Sequence, residues 1–126
     1  MKIAAAIAGA LLGLAFIFFS SMVLFHLVPT TPPPGTPDIV LTFMSVFAPT
    51  GWLTFVKVCE LIGGILVAIP KTRNFGLLLL CPIIANILVF HALVERGGVV
   101  GIPLILALLA LFLIVCERKK FNALLN

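Results

Sequence analysis

The sequence predicts an all-α protein: a transmembrane four-helix bundle with a short extra-cytoplasmic interfacial helix between the first and second spans. Three observations predict it. Hydrophobic residues make up 63% of the 126-residue chain and charged residues only 10%, with a mean hydropathy of +1.35, whereas a soluble domain carries about 25% charged residues. The apolar residues are gathered into long runs of the length a bilayer demands, separated by proline-rich, glycine-rich or charged breaks. The basic residues fall almost entirely on one side if four spans alternate. A chain of this length holds one domain of a few spans, residues 1–126, and leaves no room for a separate soluble catalytic domain.

The first run, Ile3 to Val28, follows the single basic Lys2. It is too long for the apolar core of a secretory signal, about 7–15 residues, and no small-residue cleavage site closes it. The expected element is a retained span over about 3–28, with Gly9, Gly13 and neighbouring alanines forming a face that admits a second helix closely. The stretch PTTPPPGTP, residues 29–37, cannot be helical and is stiffened toward polyproline II. The segment after it is apolar but too short to span. With Thr36 as N-cap, Pro37 at the first helical position and Pro49 as the stop, it reads as an interfacial helix over about 37–48. Ile39, Phe43, Val46 and Phe47 share one side of it, which suits interfacial anchoring or a lid.

Further spans are expected over about 52–69, 75–93 and 99–116. Trp52 stands where interfacial aromatics belong, and Glu95-Arg96-Gly97-Gly98 makes a tight turn between the last two. Lys2, Lys71, Arg73, Arg118, Lys119 and Lys120 then share one side and Arg96 stands on the other. The positive-inside rule puts both termini and the 70–74 turn in the cytoplasm, with Lys71, Arg73, Arg118, Lys119 and Lys120 as topology anchors. The net charge of +4 is explained by these flanks, and no nucleic-acid partner is implied.

Lys57, Glu60, Asn86, His91 and His26 are residues hydrocarbon does not welcome. At 1.5 Å per residue, Lys57 lies about 8 Å and Glu60 about 12 Å below Trp52, while His91 and Asn86 lie about 3 Å and 10 Å from the outer end of the third span. With His26 near the outer end of the first span, all fall in the outer half of the bilayer. Lys57 and Glu60 are spaced i, i+3 and can pair. Gly63 and Gly64 let a neighbouring helix approach beneath that pair. Pro82 frees the carbonyl of Leu78 and favours a kink one turn before Asn86. Each polar residue also has a plain structural reading: Lys57 snorkelling outward, Glu60 its partner, Asn86 an interhelical hydrogen bond, the histidines wetted near headgroups. The agreement of Glu60 and Asn86 in depth favours a functional cavity, since each charge at the centre of a span costs about 2.5–3.5 kcal/mol on insertion scales.

No nucleotide-binding glycine loop, H-E-x-x-H or nucleophile elbow is present, so the chain holds no self-contained catalytic motif. Cys59, Cys81 and Cys116 form no C-x-x-C and have no zinc-ligand spacing, so no metal site is expected. His26 and His91 are too weak a signal for a bis-histidine site.

Glu60 with Gly63-Gly64, the turn Ile69-Pro70-Lys71-Thr72-Arg73 followed by Gly76, then Asn86-Ile87 and Phe90-His91 together resemble the DoxX-like family of small four-helix membrane proteins. The resemblance implies a left-handed four-helix bundle in the bacterial cytoplasmic (inner) membrane. Some members of that family resemble a subunit of a thiosulfate–quinone oxidoreductase, others look like partners of redox proteins, and many have no known activity. The cofactor stays open: in electron transfer the chain would either hold a quinone or anchor a partner. Lacking a C-x-x-C, the chain departs from quinone-linked thiol oxidoreductases, so an accessory subunit fits better than an enzyme acting alone. Three functions are carried forward: a redox-associated subunit with a quinone-like ligand in the outer-half cavity, a small proton-coupled transporter using Glu60, and a non-catalytic membrane anchor or assembly factor. The partners expected are the lipid bilayer, a membrane or redox protein, and further copies of the chain.

Overall fold

The computed structural model describes residues 2–27, 34–94 and 101–123, and among these every regular element is helical. In order they are α1 (Lys2–Leu24), α2 (Asp38–Phe47), α3 (Trp52–Ala68), α4 (Arg73–Val89) running into a π-turn (Phe90–Val94), α5 (Ile102–Cys116) and α6 (Arg118–Ala123). The expected turn at 95–98, the start of the expected fourth span at 99–100 and most of the proline stretch lie outside the described residues.

Each long helix buries one stripe. On α1 it is Ala5, Ala8, Gly9, Leu12, Gly13, Phe16 and Ser20; on α3 Glu60, Gly63, Gly64 and Val67; on α4 Arg73, Gly76, Leu77, Leu80 and Ile84; on α5 Leu106, Ala110 and Leu113. These positions recur at three- and four-residue steps, which keep them on one helix face. The stripes meet in a ring: α1 packs on α3, α3 on α4, α4 on α5, and α5 back on α1. The outward faces are equally apolar, with Leu14, Ile62, Phe75 and Leu108 all exposed. Apolar surface of that extent has no place in water. Two helical stretches, Lys2–Leu24 and Arg73–Val94, are long and apolar enough to cross a membrane. α2 and α3 pass the same test only as a pair bent by 84°. α5, with 15 residues, is apolar but shorter. These helices mark a membrane protein.

The bundle is closest where glycines face backbone. A Cβ on Gly13 would lie 2.5 Å from the Gly64 carbonyl oxygen, and one on Gly76 would lie 2.5 Å from the Val67 nitrogen. Small residues thus set both the α1–α3 and the α3–α4 spacing, the usual means of helix association in lipid. Gly63 performs a different task, leaving room for the Leu80 side chain.

Two boundaries differ from the sequence expectation. α1 stops at Leu24 rather than near 28, because the chain closes it there: the Leu27 amide donates to the Met22 carbonyl (2.8 Å) and the His26 amide to the Val23 carbonyl (3.2 Å). That pair of bonds is a Schellman motif, with His26 at its left-handed position, φ 55°. α2 is capped by Pro37, in extended conformation, and begins at Asp38, so Thr36 is not its N-cap. α4 runs through Pro82, inside the span expected there, and passes into the π-turn at Phe90.

The turn between α3 and α4 is tied by side chains. Thr72 Oγ1 donates to the Leu66 carbonyl at 2.8 Å, and Arg73 Nε donates to the Val67 carbonyl at 3.3 Å. Both satisfy carbonyls that the end of α3 leaves without helical partners. Thr72→Val, which removes one of these donors, is expected to lower bundle stability by about 1 kcal/mol, read as a shift in thermal unfolding of the detergent-solubilised protein.

Candidate functional site

A cavity of about 630 Å³ opens toward the end of the bundle where α2 lies. α1 supplies Phe16, Phe18, Phe19 and Met22, and α5 closes the far wall with Ile102, Pro103 and Leu106. The polar part of the wall comes from α3 and α4: Lys57, Glu60, Asn86 and His91. The heptad-like stripe of α3 explains why Glu60 faces inward, since it shares the face of Gly64 and Val67. Its side chain is 3% exposed, and Lys57 Nζ donates to its Oε2 at 3.0 Å. The Lys57 side chain keeps 20% exposure, so the cation lies on the path from the buried carboxylate to the surface.

Asn86 lines the cavity and is itself exposed, at the place where the cavity meets the protein surface. His91 belongs to the π-turn and is half-buried, its ring 5.5 Å from that of Phe90 in an edge-on arrangement. A π-turn widens the helix by one residue per hydrogen-bonded ring and recurs at functional sites. Here the Phe90 amide is shared between the Asn86 and Ile87 carbonyls. The fifth polar residue stands apart. His26 is exposed in the turn beyond α1 and does not line the cavity; its place in the chain is a helix stop.

α2 lies over the cavity mouth, held by aromatic contacts. Phe43 approaches Phe90 with ring centroids 4.9 Å apart and Phe47 at 4.2 Å, while Phe47 reaches Trp52 at 6.3 Å. Gly51, with φ 84°, makes the sharp corner between α2 and α3. Phe43, Met44 and Phe47 line the cavity, whereas Ile39 and Val46 are exposed. The face expected to anchor α2 is therefore divided, its aromatic half turned onto the protein.

The sequence expectation missed a second polar centre, at the opposite end. Arg73, counted there only as a topology anchor, is 4% exposed, with its Nη1 3.8 Å from Glu117 Oε1 on the residue that ends α5. Lys120 holds the other carboxylate oxygen of Glu117 at 3.1 Å. The remaining anchors Lys71, Arg118, Lys119 and Lys120 are exposed. The available signal was the opposite charge of Arg73 and Glu117 at the same end of two adjacent helices.

No group of three or more metal-ligating side chains occurs among the described residues. Cys59, Cys81 and Cys116 are all free thiols. Comparison with family models, with curated proteins and with solved structures finds no match.

The cavity has the chemistry of a site for an amphipathic small molecule. Its volume falls within the roughly 300–1,000 Å³ of small-ligand pockets, which are mostly apolar with a few placed polar groups. The aromatic and methionine walls accept a flat or chain-like apolar body. Lys57 and His91 can donate hydrogen bonds, Glu60 accepts them, and Asn86 does both.

Proposed function

We infer that this protein is a multi-pass membrane protein whose α2-end cavity holds an apolar ligand with hydrogen-bonding carbonyl or hydroxyl groups, of the quinone class, and that it serves as a redox-associated subunit or partner. The observation that carries this reading is the buried Glu60 carboxylate, paired to Lys57, in the wall of an otherwise apolar cavity. A charge so placed is costly in a membrane helix and calls for a use. In this role Lys57 donates to a ligand carbonyl while Glu60 fixes its position. Asn86 supplies a second hydrogen bond, and His91 exchanges protons with the nearby surface. The reading keeps the DoxX-like resemblance as its reason for choosing a redox setting.

All four helices of the ring cross the inner membrane of a bacterium. The basic end faces the cytoplasm with both termini, and the cavity end faces outward. Lys2, Arg73, Arg118 and Lys119 line one cavity at one end of the bundle, which suits the positive-inside rule.

The buried leucines Leu12, Leu77, Leu80 and Leu113 and the close glycine contacts favour ligand holding over transport through Glu60. Two measurements test the proposal. Protein purified from membranes should yield a quinone on solvent extraction and mass spectrometry. Titration with a short-chain quinone should be weakened about fivefold by Glu60→Gln or Asn86→Ala, the loss of a hydrogen bond worth about 1 kcal/mol. Protein that carries no quinone, with titrations that Glu60→Gln leaves unchanged, would overturn it.

A further inference from the structure

The end of the bundle away from α2 contains a second cavity, of about 670 Å³, that the ligand reading does not use. Its wall carries Lys2, Arg73, Arg118 and Lys119 against one carboxylate, Glu117. Between these charges it is apolar, formed by Ala5 and Ala6 of α1, Pro70, and Val115 and Cys116 of α5. Three of the cations are exposed, as the flanks of any membrane helix are. Arg73 is different in kind.

Arg73 is 4% exposed, fixed from three directions. Its Nε donates to the Val67 carbonyl, Nη1 faces Glu117, and the missing side chain of Gly9 admits the guanidinium against α1, where a Cβ would lie 2.7 Å from Nε. Nη2 is buried and has no hydrogen-bond partner among the described residues. A guanidinium carries five donors, and a buried one left short of acceptors is costly. Glu117 does not make up the difference, because it is shared with Lys120 at 3.1 Å and stands 3.8 Å from Nη1. Nη2 is sealed from the cavity, so what Arg73 adds to the site is a fixed positive charge that Glu117 offsets only in part.

We propose that this cavity binds a phosphate anion borne on an apolar body, with Arg73 as a fixed positive charge behind it and Lys2, Arg118 and Lys119 as the mobile cations that meet it. The exposed Arg118 guanidinium can meet phosphate oxygens as a fork, and the lysines act as point charges. Basic pockets between membrane helices hold anionic lipid headgroups in this way. The apolar wall of Ala5, Ala6, Val115 and Cys116 would then lie along the glycerol and first acyl carbons. The same chemistry would also accept free phosphate, and the experiment separates the two sources.

The full chain, purified in neutral detergent, is titrated with phosphatidylglycerol and with phosphatidylcholine, and bound lipid is counted by native mass spectrometry. Wild type should prefer phosphatidylglycerol about tenfold or more, and Arg118→Gln should weaken that lipid about fivefold, the effect of one cation near an anionic lipid. Lys71→Gln removes the same charge from the exposed turn outside the cavity and should leave binding within about twofold. Arg73 is left in place, because its loss would also break the Glu117 contact. In a parallel arm, inorganic phosphate is added to lipid-free protein and thermal unfolding is followed. Stabilisation by phosphate that Arg118→Gln removes identifies a soluble phosphate as the occupant; stabilisation by phosphatidylglycerol alone identifies a headgroup. Equal uptake of the two lipids with no effect of phosphate overturns the proposal, as does equal weakening by Arg118→Gln and Lys71→Gln.

Discussion

Gly76→Ala should destabilise the bundle, although alanine is the better helix former. In an exposed helix the exchange would gain about 1 kcal/mol. Here the new methyl would stand 2.5 Å from the Val67 nitrogen and 2.9 Å from the Gly63 carbonyl oxygen, both backbone atoms of α3. Backbone cannot turn aside as a side chain does, so α3 and α4 must move apart and surrender contact along the whole stripe from Val67 to Leu80. Overpacking of this kind costs about 1–3 kcal/mol, and it outweighs the propensity gain. Gly13→Ala, facing the Gly64 carbonyl oxygen at 2.5 Å, should behave alike at the α1–α3 contact. Gly63→Ala provides the comparison, because its methyl meets only the flexible Leu80 side chain at 2.7 Å. It should be the mildest of the three in thermal or denaturing-detergent unfolding. An order with Gly63→Ala worst would mean that helix spacing is not set where the glycines stand.

These contacts show what could be read from the chain and what could not. Helix type, the stripes and the small-residue faces follow from spacing alone, since three- and four-residue steps put Gly9 with Gly13, and Glu60 with Gly64, on common faces. The Lys57–Glu60 pair was legible for the same reason. The end of α1 was not. Residues 25–28 are as apolar as those before them apart from His26, and hydropathy reports the preference for lipid, not the backbone turn that His26 makes. The π-turn left no mark either, because an extra residue in a helical ring changes register without changing composition. Arg73 was the largest omission. Its position beside a loop suggested a headgroup anchor, and only packing against Gly9, a residue far away in sequence, draws it inside. For the site, the sequence brought forward the polar residues of α3 and α4, but the aromatic wall from α1 and α2 depends on how the helices cross, which no local pattern encodes.

Lys57→Met should be the most damaging single change in the α2-end cavity, and its effect should be largely undone by a second substitution. Removing one partner of a fully buried ion pair costs about 3–5 kcal/mol. The Lys57 side chain keeps 20% exposure, so the loss here should be about 2–3 kcal/mol, most of it from the Glu60 carboxylate left in an apolar wall. Glu60→Leu should cost less, about 1 kcal/mol, because the freed lysine has a long stem and can carry its charge toward the cavity mouth. The double variant Lys57→Met/Glu60→Leu should return to within about 1 kcal/mol of wild type, since apolar replacements of a buried pair are often neutral. That recovery makes the double variant the decisive protein for function. It folds with the same packing but presents neither the donor nor the carboxylate to the cavity. If the pair holds a quinone-class ligand, the double variant is as stable as wild type and empty of ligand on extraction. If the pair is only a lock between helices, the double variant keeps whatever wild type binds, and the functional reading of Glu60 falls with it.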